Sequence, residues 1–386
     1  MSTRRVVIVG AGIGGLTAAI ALRRIGIDVV VIERAGADEL AKGVGVHLWS
    51  NAMRALQHID LADQVAEIGT KVTAHRNLDW RGRPLGSFDL AALSDEFGAP
   101  SVGMSHPDLH RLLLQTLGPD VLRLNSELIG FEQNTKRVVV RLADGSVERG
   151  DLLIGADGIA SMVRRQLHGP TRPRYSGMAA WHGITDYTDP QIPVGEMRIY
   201  WGPGARILHY HVTGQRLYWL AMLKSPPSAP EPPAGRQAAV LKTYRGWPAH
   251  IQRMIAATEP DAILRSDVVD RDPLRHWGFE RASLLGDAAH PMTPDMAQGA
   301  GQAVEDAVCL ARVLKAAADP VAALREYEQR RTGRANEFVK ISRMVSRMSL
   351  LEAAPLRVVR DKVALRAVYA IQRSRSKART DLIAHP

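Results

Sequence analysis

The stretch Val6-Val7-Ile8-Val9-Gly10-Ala11-Gly12-Ile13-Gly14-Gly15 constrains the fold of this chain more than any other. An apolar run ends on the spacing G-x-G-x-x-G, residues 16–25 continue with helical character, and a second apolar run follows at Asp28–Ile32. That order predicts strand, tight turn, helix, strand: the βαβ unit that seats a dinucleotide. Gly10 permits the turn, Gly12 lets the backbone approach a pyrophosphate, and Gly15 lets helix and strand pack closely. The helix N-terminus then offers free N–H groups and a positive dipole end to phosphate oxygens. Glu33 ends the second strand, where a carboxylate accepts hydrogen bonds from an adenosine ribose and repels a 2′-phosphate. The site therefore suits FAD or NAD and not NADP.

Two further segments repeat the pattern of a strand delivering an acidic residue. In Leu152-Leu153-Ile154-Gly155-Ala156-Asp157-Gly158 a strand runs into Asp-Gly ahead of a helix holding Met162, Val163 and Arg164. Alone, Asp157 serves equally well as a helix N-cap, the commoner use of such a residue. In Leu284-Leu285-Gly286-Asp287-Ala288-Ala289-His290-Pro291, a strand end delivers Asp287, whose carboxylate can bind a ribityl hydroxyl. Thr293-Pro294 and Gln298-Gly299-Ala300-Gly301 then open a helix whose N-terminus can stabilise negative charge on a reduced flavin.

Between these segments the periodicity changes. Residues 103–118 have helical spacing, with Leu109, Leu112, Leu113 and Leu117 on one stripe. Val138–Leu142 and residues 152–154 read as strands. From Tyr175 to about residue 223 apolar and polar residues alternate, as in an antiparallel sheet. Proline-rich 226–233 is a loop, helical segments follow at 237–244 and 251–257, a strand at 282–285, and helix from Gln298 into a tail helical to about Ser374. The reading is an α/β chain: a Rossmann-like dinucleotide-binding domain interrupted by an antiparallel-sheet substrate domain, with C-terminal helices. Residues 1–75, 101–175 and 270–340 form the first, 76–100 and 176–269 the second, and 341–386 the helical end.

Composition narrows the class. With 46% hydrophobic and 23% charged residues in 386, the chain can bury a sizeable core and is not disordered. No apolar stretch approaches the roughly 20 residues needed to cross a bilayer. Glycines follow Val9 at once, so the N-terminus is not read as a signal peptide. A single cysteine, Cys309, permits no internal disulfide, fits a cytoplasmic location, and reads as a small packing residue. The histidines are not read as a metal set. Of the net charge of +10, residues 351–386 supply about half, with eight Lys/Arg against three Asp/Glu. A solvated helix face is the plainer reading. Peripheral contact with an anionic membrane is the sharper one, because Leu356, Val359, Val363 and Ala367 recur at helical spacing. Nucleic acid is not expected, since no aromatic platform accompanies the charge. Monomer and dimer both stay open.

The three motifs at Gly10–Gly15, Asp157-Gly158 and Gly286-Asp287 resemble the fingerprint of the FAD-dependent aromatic hydroxylases, in family order from about Arg5 to Val339. His290-Pro291-Met292-Thr293-Pro294 and Met296-Ala297-Gln298-Gly299-Ala300 are similar to the 6-hydroxynicotinate 3-monooxygenase and salicylate hydroxylase branch. Pro294-Asp295 and residues 201–223 are similar to FAD-dependent urate hydroxylase and alkylquinolone hydroxylases, and the tail resembles the quinolone type. The resemblance implies FAD as cofactor and NADH or NADPH with O2 as co-substrates. It also implies hydroxylation of an aromatic or N-heteroaromatic small molecule through a C4a-hydroperoxyflavin. The same fold also serves epoxidation, Baeyer–Villiger insertion, ring opening, or reduction without oxygen transfer.

The resemblance likewise assigns residues. Gly10, Gly12, Gly14, Gly15, Glu33, Arg34, His47, His106, Leu128, Asp157, Asp287, Pro294, Gly299 and Ala300 fall on cofactor positions. Arg206 and Tyr218 match the urate hydroxylase's arginine and tyrosine, Tyr210 the hydroxynicotinate enzyme's tyrosine, and His47 a histidine near its flavin. These four are the catalytic candidates, with His47 either a base or only a cofactor contact. Strand alternation puts Arg206 and Tyr210 on one face. A three-residue loop at Thr213-Gly214-Gln215 pairs Tyr210 with Tyr218, whereas a two-residue loop pairs His211 with Tyr218. The family commonly has arginine where this chain has His106, which predicts weaker FAD retention. Asp295 replaces a more basic residue of the hydroxynicotinate branch and weakens assignment to a carboxylated pyridine.

Overall fold

The computed structural model describes residues 4–40, 43–229 and 235–364. The opening motif forms as its sequence demands: Arg5–Val9, a glycine turn, the helix Ile13–Arg24 and Asp28–Ile32. These strands lie in a five-stranded sheet in the order Ala282–Leu284, Leu152–Gly155, Arg5–Val9, Asp28–Ile32, Leu122–Arg123. Every neighbouring pair is parallel. Such strands are buried on both faces, which is why they read as unbroken Val/Ile/Leu runs. The helices Ile13–Arg24 and Gly299–Ala316 pack together over this sheet within its core. Cys309 packs against that core, and burial pushes its thiol up to about 11.

The second large sheet has seven strands, in the order Leu264–Asp270, Arg174–Thr185, Leu217–Lys224, Ala205–His211, Glu196–Trp201, Ala74–Asp79, Pro84–Asp89. It is antiparallel save for one pair, Glu196–Trp201 beside Ala74–Asp79. That exception arises because the last two strands come from a distant part of the chain. The hairpin pairs Tyr210 with Tyr218, so the loop is the three-residue one. One face carries Met178, Met197, Leu208, Met222 and Val268. The other packs on the helices Arg236–Thr243 and Ala249–Ala256.

Where 103–118 promised one helix, Ser101–Ser105 is a strand and the helix runs His106–Leu117. Ser105 caps it, accepting a hydrogen bond from the Asp108 N–H, and Pro107 sits in the first turn where its missing N–H costs nothing. The strand pairs with Gly45–Leu48 and Thr70–Val72 in a small sheet. The long helix Pro320–Ser349 stops short of the expected tail helix, and a separate short helix, Ala354–Val359, follows. Its proposed course to Ser374 lies outside the described residues. Among the described residues, no helix is long and apolar enough to cross a membrane.

Candidate active site

The three acidic motifs meet at the C-terminal ends of adjacent parallel strands, where open α/β sheets bind ligands. Gly10, at φ +106°, lies so close to the second motif that a Cβ would sit 2.3 Å from the Ala156 carbonyl oxygen. A Cβ on Gly15 would fall 1.9 Å from the Gly10 carbonyl oxygen, and one on Gly14 2.7 Å from Leu285 Cδ2. Gly12 differs: a Cβ there meets nothing within 4 Å. Three of these glycines serve the protein's own packing, and the fourth faces open space.

Glu33 is tied to this loop, accepting hydrogen bonds from the Ala11 and Ala35 N–H groups, each at 2.8 Å. Arg34 beside it is exposed, while the Leu128 side chain belongs to the core. Asp157 takes the capping use that its sequence left open. It accepts from the Met162 and Val163 N–H groups at 2.7 and 3.2 Å and from the Ser161 hydroxyl at 2.5 Å. Asp287 stands exposed on the turn Gly286–Ala288.

That turn is braced from below by a buried charged network. Asp306 accepts from the Gly286 N–H at 3.1 Å, meets His290 Nε2 at 2.6 Å and accepts from Arg331 Nε at 2.7 Å. Burial would raise the Asp306 carboxyl, but His290 and Arg331 hold it below its usual range. His290 is thus architectural. The turn continues through Pro294–Met296 to Ala297, a non-glycine residue at φ +49°, and then into the helix Gly299–Ala316 with Gly299 and Ala300 partly exposed at its start.

His106 lies beside His110, their rings stacked at 6.1 Å, and His110 Nε2 contacts the Ala11 carbonyl oxygen of the glycine loop at 2.7 Å. These two histidines stand at H-x-x-x-H spacing on one helix, and that four-residue interval was the signal that could have found His110. Burial, reinforced by His110, lowers His106 to about 4, so it carries no charge at neutral pH. Arg111 is paired with Asp108 at 2.6 Å.

On the substrate sheet, Arg206 is buried and faces the apolar side with Tyr210. Its Nη2 lies 3.1 Å from Asp295 Oδ1, both side chains being almost fully buried, and its guanidinium stacks over Trp201 at 5.1 Å. Nε and Nη1 of Arg206 have no hydrogen-bond partner. Burial raises the Asp295 carboxyl, against the pull of Arg206. This pair joins the turn after Asp287 to the substrate sheet, a link that sequence spacing could not reveal across 89 positions.

The two tyrosines touch at 5.1 Å, edge to face. They pack under the small sheet, which only glycines allow: a Cβ on Gly45 would fall 2.3 Å from the Tyr218 ring, and one on Gly103 2.8 Å from Tyr210. His182 Nδ1 lies 3.0 Å from the Tyr218 hydroxyl. Burial raises both phenols, so they stay protonated. His47 lies 5.6 Å from Tyr210 and 4.7 Å from Trp49, whose indole N–H donates to the Met296 carbonyl at 3.2 Å. His47 is 2% exposed with both ring nitrogens unpartnered. Burial first, and His75 second, lower its pKa to about 3.

The residues present fit a flavin dinucleotide: open space over Gly12, an exposed Asp287, and a buried His47 whose two ring nitrogens have no partner. Known proteins agree. The model of the FAD binding domain family matches residues 3–342. An aurachin C monooxygenase/isomerase from Stigmatella aurantiaca is 41% identical over 93% of this chain and 93% of its own. An FAD-dependent urate hydroxylase from Mycolicibacterium vanbaalenii is 35% identical over 87% of this chain and 86% of its own. The crystal structure of Klebsiella pneumoniae HpxO with FAD and uric acid superposes with a TM-score of 0.88 at 30% identity, covering 95% of each chain.

Proposed function

The chain belongs to the FAD binding domain family and is an FAD-dependent monooxygenase, and from that premise we propose that it uses NADH or NADPH and O2 to hydroxylate an aromatic or N-heteroaromatic small molecule. The observation carrying the reading is the buried Arg206–Asp295 pair on an apolar sheet face, held against the turn that follows Asp287. Bound FAD would supply reducing equivalents and the activated oxygen. The Gly12 backbone, Glu33, Asp287 and the helix starts at Ile13 and Gly299 would hold it, with His106, Arg34, Pro294 and Ala300 lining its path and Leu128 and Asp157 contributing through their main chain.

The chain's own groups must seat the ring, exclude water and manage one proton. Arg206 offers two unpartnered N–H donors and Asp295 a carboxylate beside them, which suits a ring edge presenting a carbonyl next to an N–H. The paired Asp295 offsets the guanidinium charge, so a free carboxylate on the substrate gains little there. Tyr210 and Tyr218, held protonated, act as donors and not as bases. His47 is the alternative base, but its buried setting disfavours net proton transfer to it. Burial lowers His47 to about 3, well below the range in which an imidazole would keep a proton taken from a ring hydroxyl at neutral pH. His47 therefore accepts a hydrogen bond, and Arg206 stabilises developing negative charge on the ring oxygen.

A second reading, oxygen transfer followed by rearrangement, is favoured by the Stigmatella relative, whose name joins monooxygenase to isomerase. Stopped-flow reduction of the FAD-loaded chain by NADH and by NADPH, with a panel of quinolones, purines and hydroxypyridines, tests the proposal. The true substrate class speeds flavin reduction and returns an oxygenated product. Reduction insensitive to every ring, with hydrogen peroxide as the only product, contradicts it and favours a non-oxygenating flavoprotein.

A further inference from the structure

The short helix Ala354–Val359 and its continuation through residue 364 are built inside out. A surface helix buries its apolar stripe and shows its charges to water. Here the charged Arg360 is 1% exposed, its guanidinium donating to the Gly202 carbonyl at 2.9 Å and stacking over Trp201 at 5.6 Å. The outward face instead carries Leu356, Val358, Val359 and Val363, each more than half exposed (54, 52, 57 and 61%). Lys362 is exposed among them. Leu356, Val359 and Val363 lie three and four positions apart, so by helical spacing they share one exposed apolar stripe, the kind of feature that marks an interaction surface.

We propose that this face docks on an anionic lipid surface. The charge of the segment is complementary in sequence: residues 351–386 hold eight Lys/Arg and three Asp/Glu, and among the described residues Lys362 is exposed within the apolar stripe. Two of those three acids are spent within the protein, Glu352 on Lys224 at 3.0 Å and Asp361 on Arg360 at 2.7 Å. An apolar stripe on a segment of net positive charge is what an interfacial helix presents to acidic headgroups. A second copy of the chain fits less well. Four half-exposed side chains offer a few hundred Å², well short of the roughly 800 Å² per partner of a stable interface. Arg360 also ties this segment to the substrate sheet, because the Trp201 ring it lies over is the one that meets Arg206 at 5.1 Å. A membrane bound here would lie next to the apolar side of the substrate domain.

Flotation of the full-length, FAD-loaded chain with vesicles tests the proposal, comparing phosphatidylcholine alone with an equal mixture of phosphatidylcholine and phosphatidylglycerol. The chain is expected to float with the anionic vesicles only, and raising salt should weaken binding. The triple variant Leu356→Ser/Val359→Ser/Val363→Ser should bind at least on the order of tenfold more weakly while keeping its flavin content and melting temperature. Three results overturn the idea: no flotation with either vesicle, flotation that the triple variant leaves unchanged, or a wild-type dimer in light scattering that the variant dissolves. Loss of flotation together with loss of flavin would mark misfolding. The milder Val359→Ser variant then decides, by floating more weakly at full flavin content or by floating unchanged and contradicting the proposal.

Discussion

The cofactor end of the parallel sheet and the apolar face of the seven-stranded sheet are built on different principles. At the first, backbone does the work. Strand ends, glycines and helix starts set the geometry, and side chains such as Glu33 and Asp157 brace main-chain N–H groups. At the second, side chains do the work, in a setting where nearly every polar group is buried: Arg206, Asp295, Tyr210, Tyr218, His47 and His182. A site made of backbone tolerates little change in shape. A site made of buried side chains tolerates shape changes but not changes in charge.

Substitution of the glycines should separate these two kinds of site most sharply. Gly15→Ala forces a Cβ to 1.9 Å from the Gly10 carbonyl, and should cost on the order of 5 kcal/mol or prevent folding. Gly12→Ala meets no protein atom and should leave the melting temperature of the flavin-free protein unchanged while weakening FAD binding at least tenfold. Thermal melts and flavin titrations of both variants read this directly. Equal loss of stability in the two would erase the distinction.

On the substrate sheet the corresponding probe is Asp295→Asn. It leaves Arg206 buried without its counter-charge, and removal of one partner of a buried pair costs about 3 kcal/mol or more. The double replacement Arg206→Met/Asp295→Leu should recover most of that stability yet abolish turnover. A double variant no more stable than Asp295→Asn alone would mean that the ion pair is not the link we describe.

Protonation gives a third, smaller contrast. Burial lowers His47 to about 3 and His75 and His182 to about 4, from an ordinary value of 6.5. Each binds a proton more readily unfolded than folded. The fold is unpenalised above about pH 6.5 and loses stability as pH falls from there towards the folded values. His47→Gln should therefore flatten the acid limb, recovering about 2 kcal/mol at pH 5 in denaturant melts of the flavin-free protein. An unchanged pH profile would place His47 in a wetter setting than the one found.

The smallest effect belongs to the turn that joins the two regions. Ala297 holds φ +49°, where a Cβ is disfavoured, so Ala297→Gly should stabilise by about 0.5 to 1 kcal/mol in thermal melts. Loss of stability there would mean that the alanine methyl packs usefully.

The same contrast explains what the sequence could tell. The βαβ unit was legible because its causes are local: two apolar runs and a fixed glycine spacing between them that opens a helix. The hairpin register was legible as two alternatives, and the three-residue loop decided between them. The strand Ser101–Ser105 was hidden because its partners, Gly45–Leu48 and Thr70–Val72, are about 30 to 60 positions away and its five residues carry little periodicity. The pairing of Asp295 with Arg206 was out of reach for the same reason, whereas His110 could have been found from its four-residue interval to His106, though not its contact with the Ala11 carbonyl. The outward apolar face at Leu356 was visible as a periodicity, but periodicity alone cannot say which way a stripe points.

The central claim is that the two regions together insert one oxygen atom into a ring. The direct measurement is turnover of the FAD-loaded chain under heavy-isotope dioxygen, with whichever aromatic or N-heteroaromatic compound most accelerates flavin reduction. The account predicts one labelled atom in the product and the other in water, with the labelled product lost in Arg206→Met. A product free of label, with all consumed oxygen recovered as hydrogen peroxide, would contradict it.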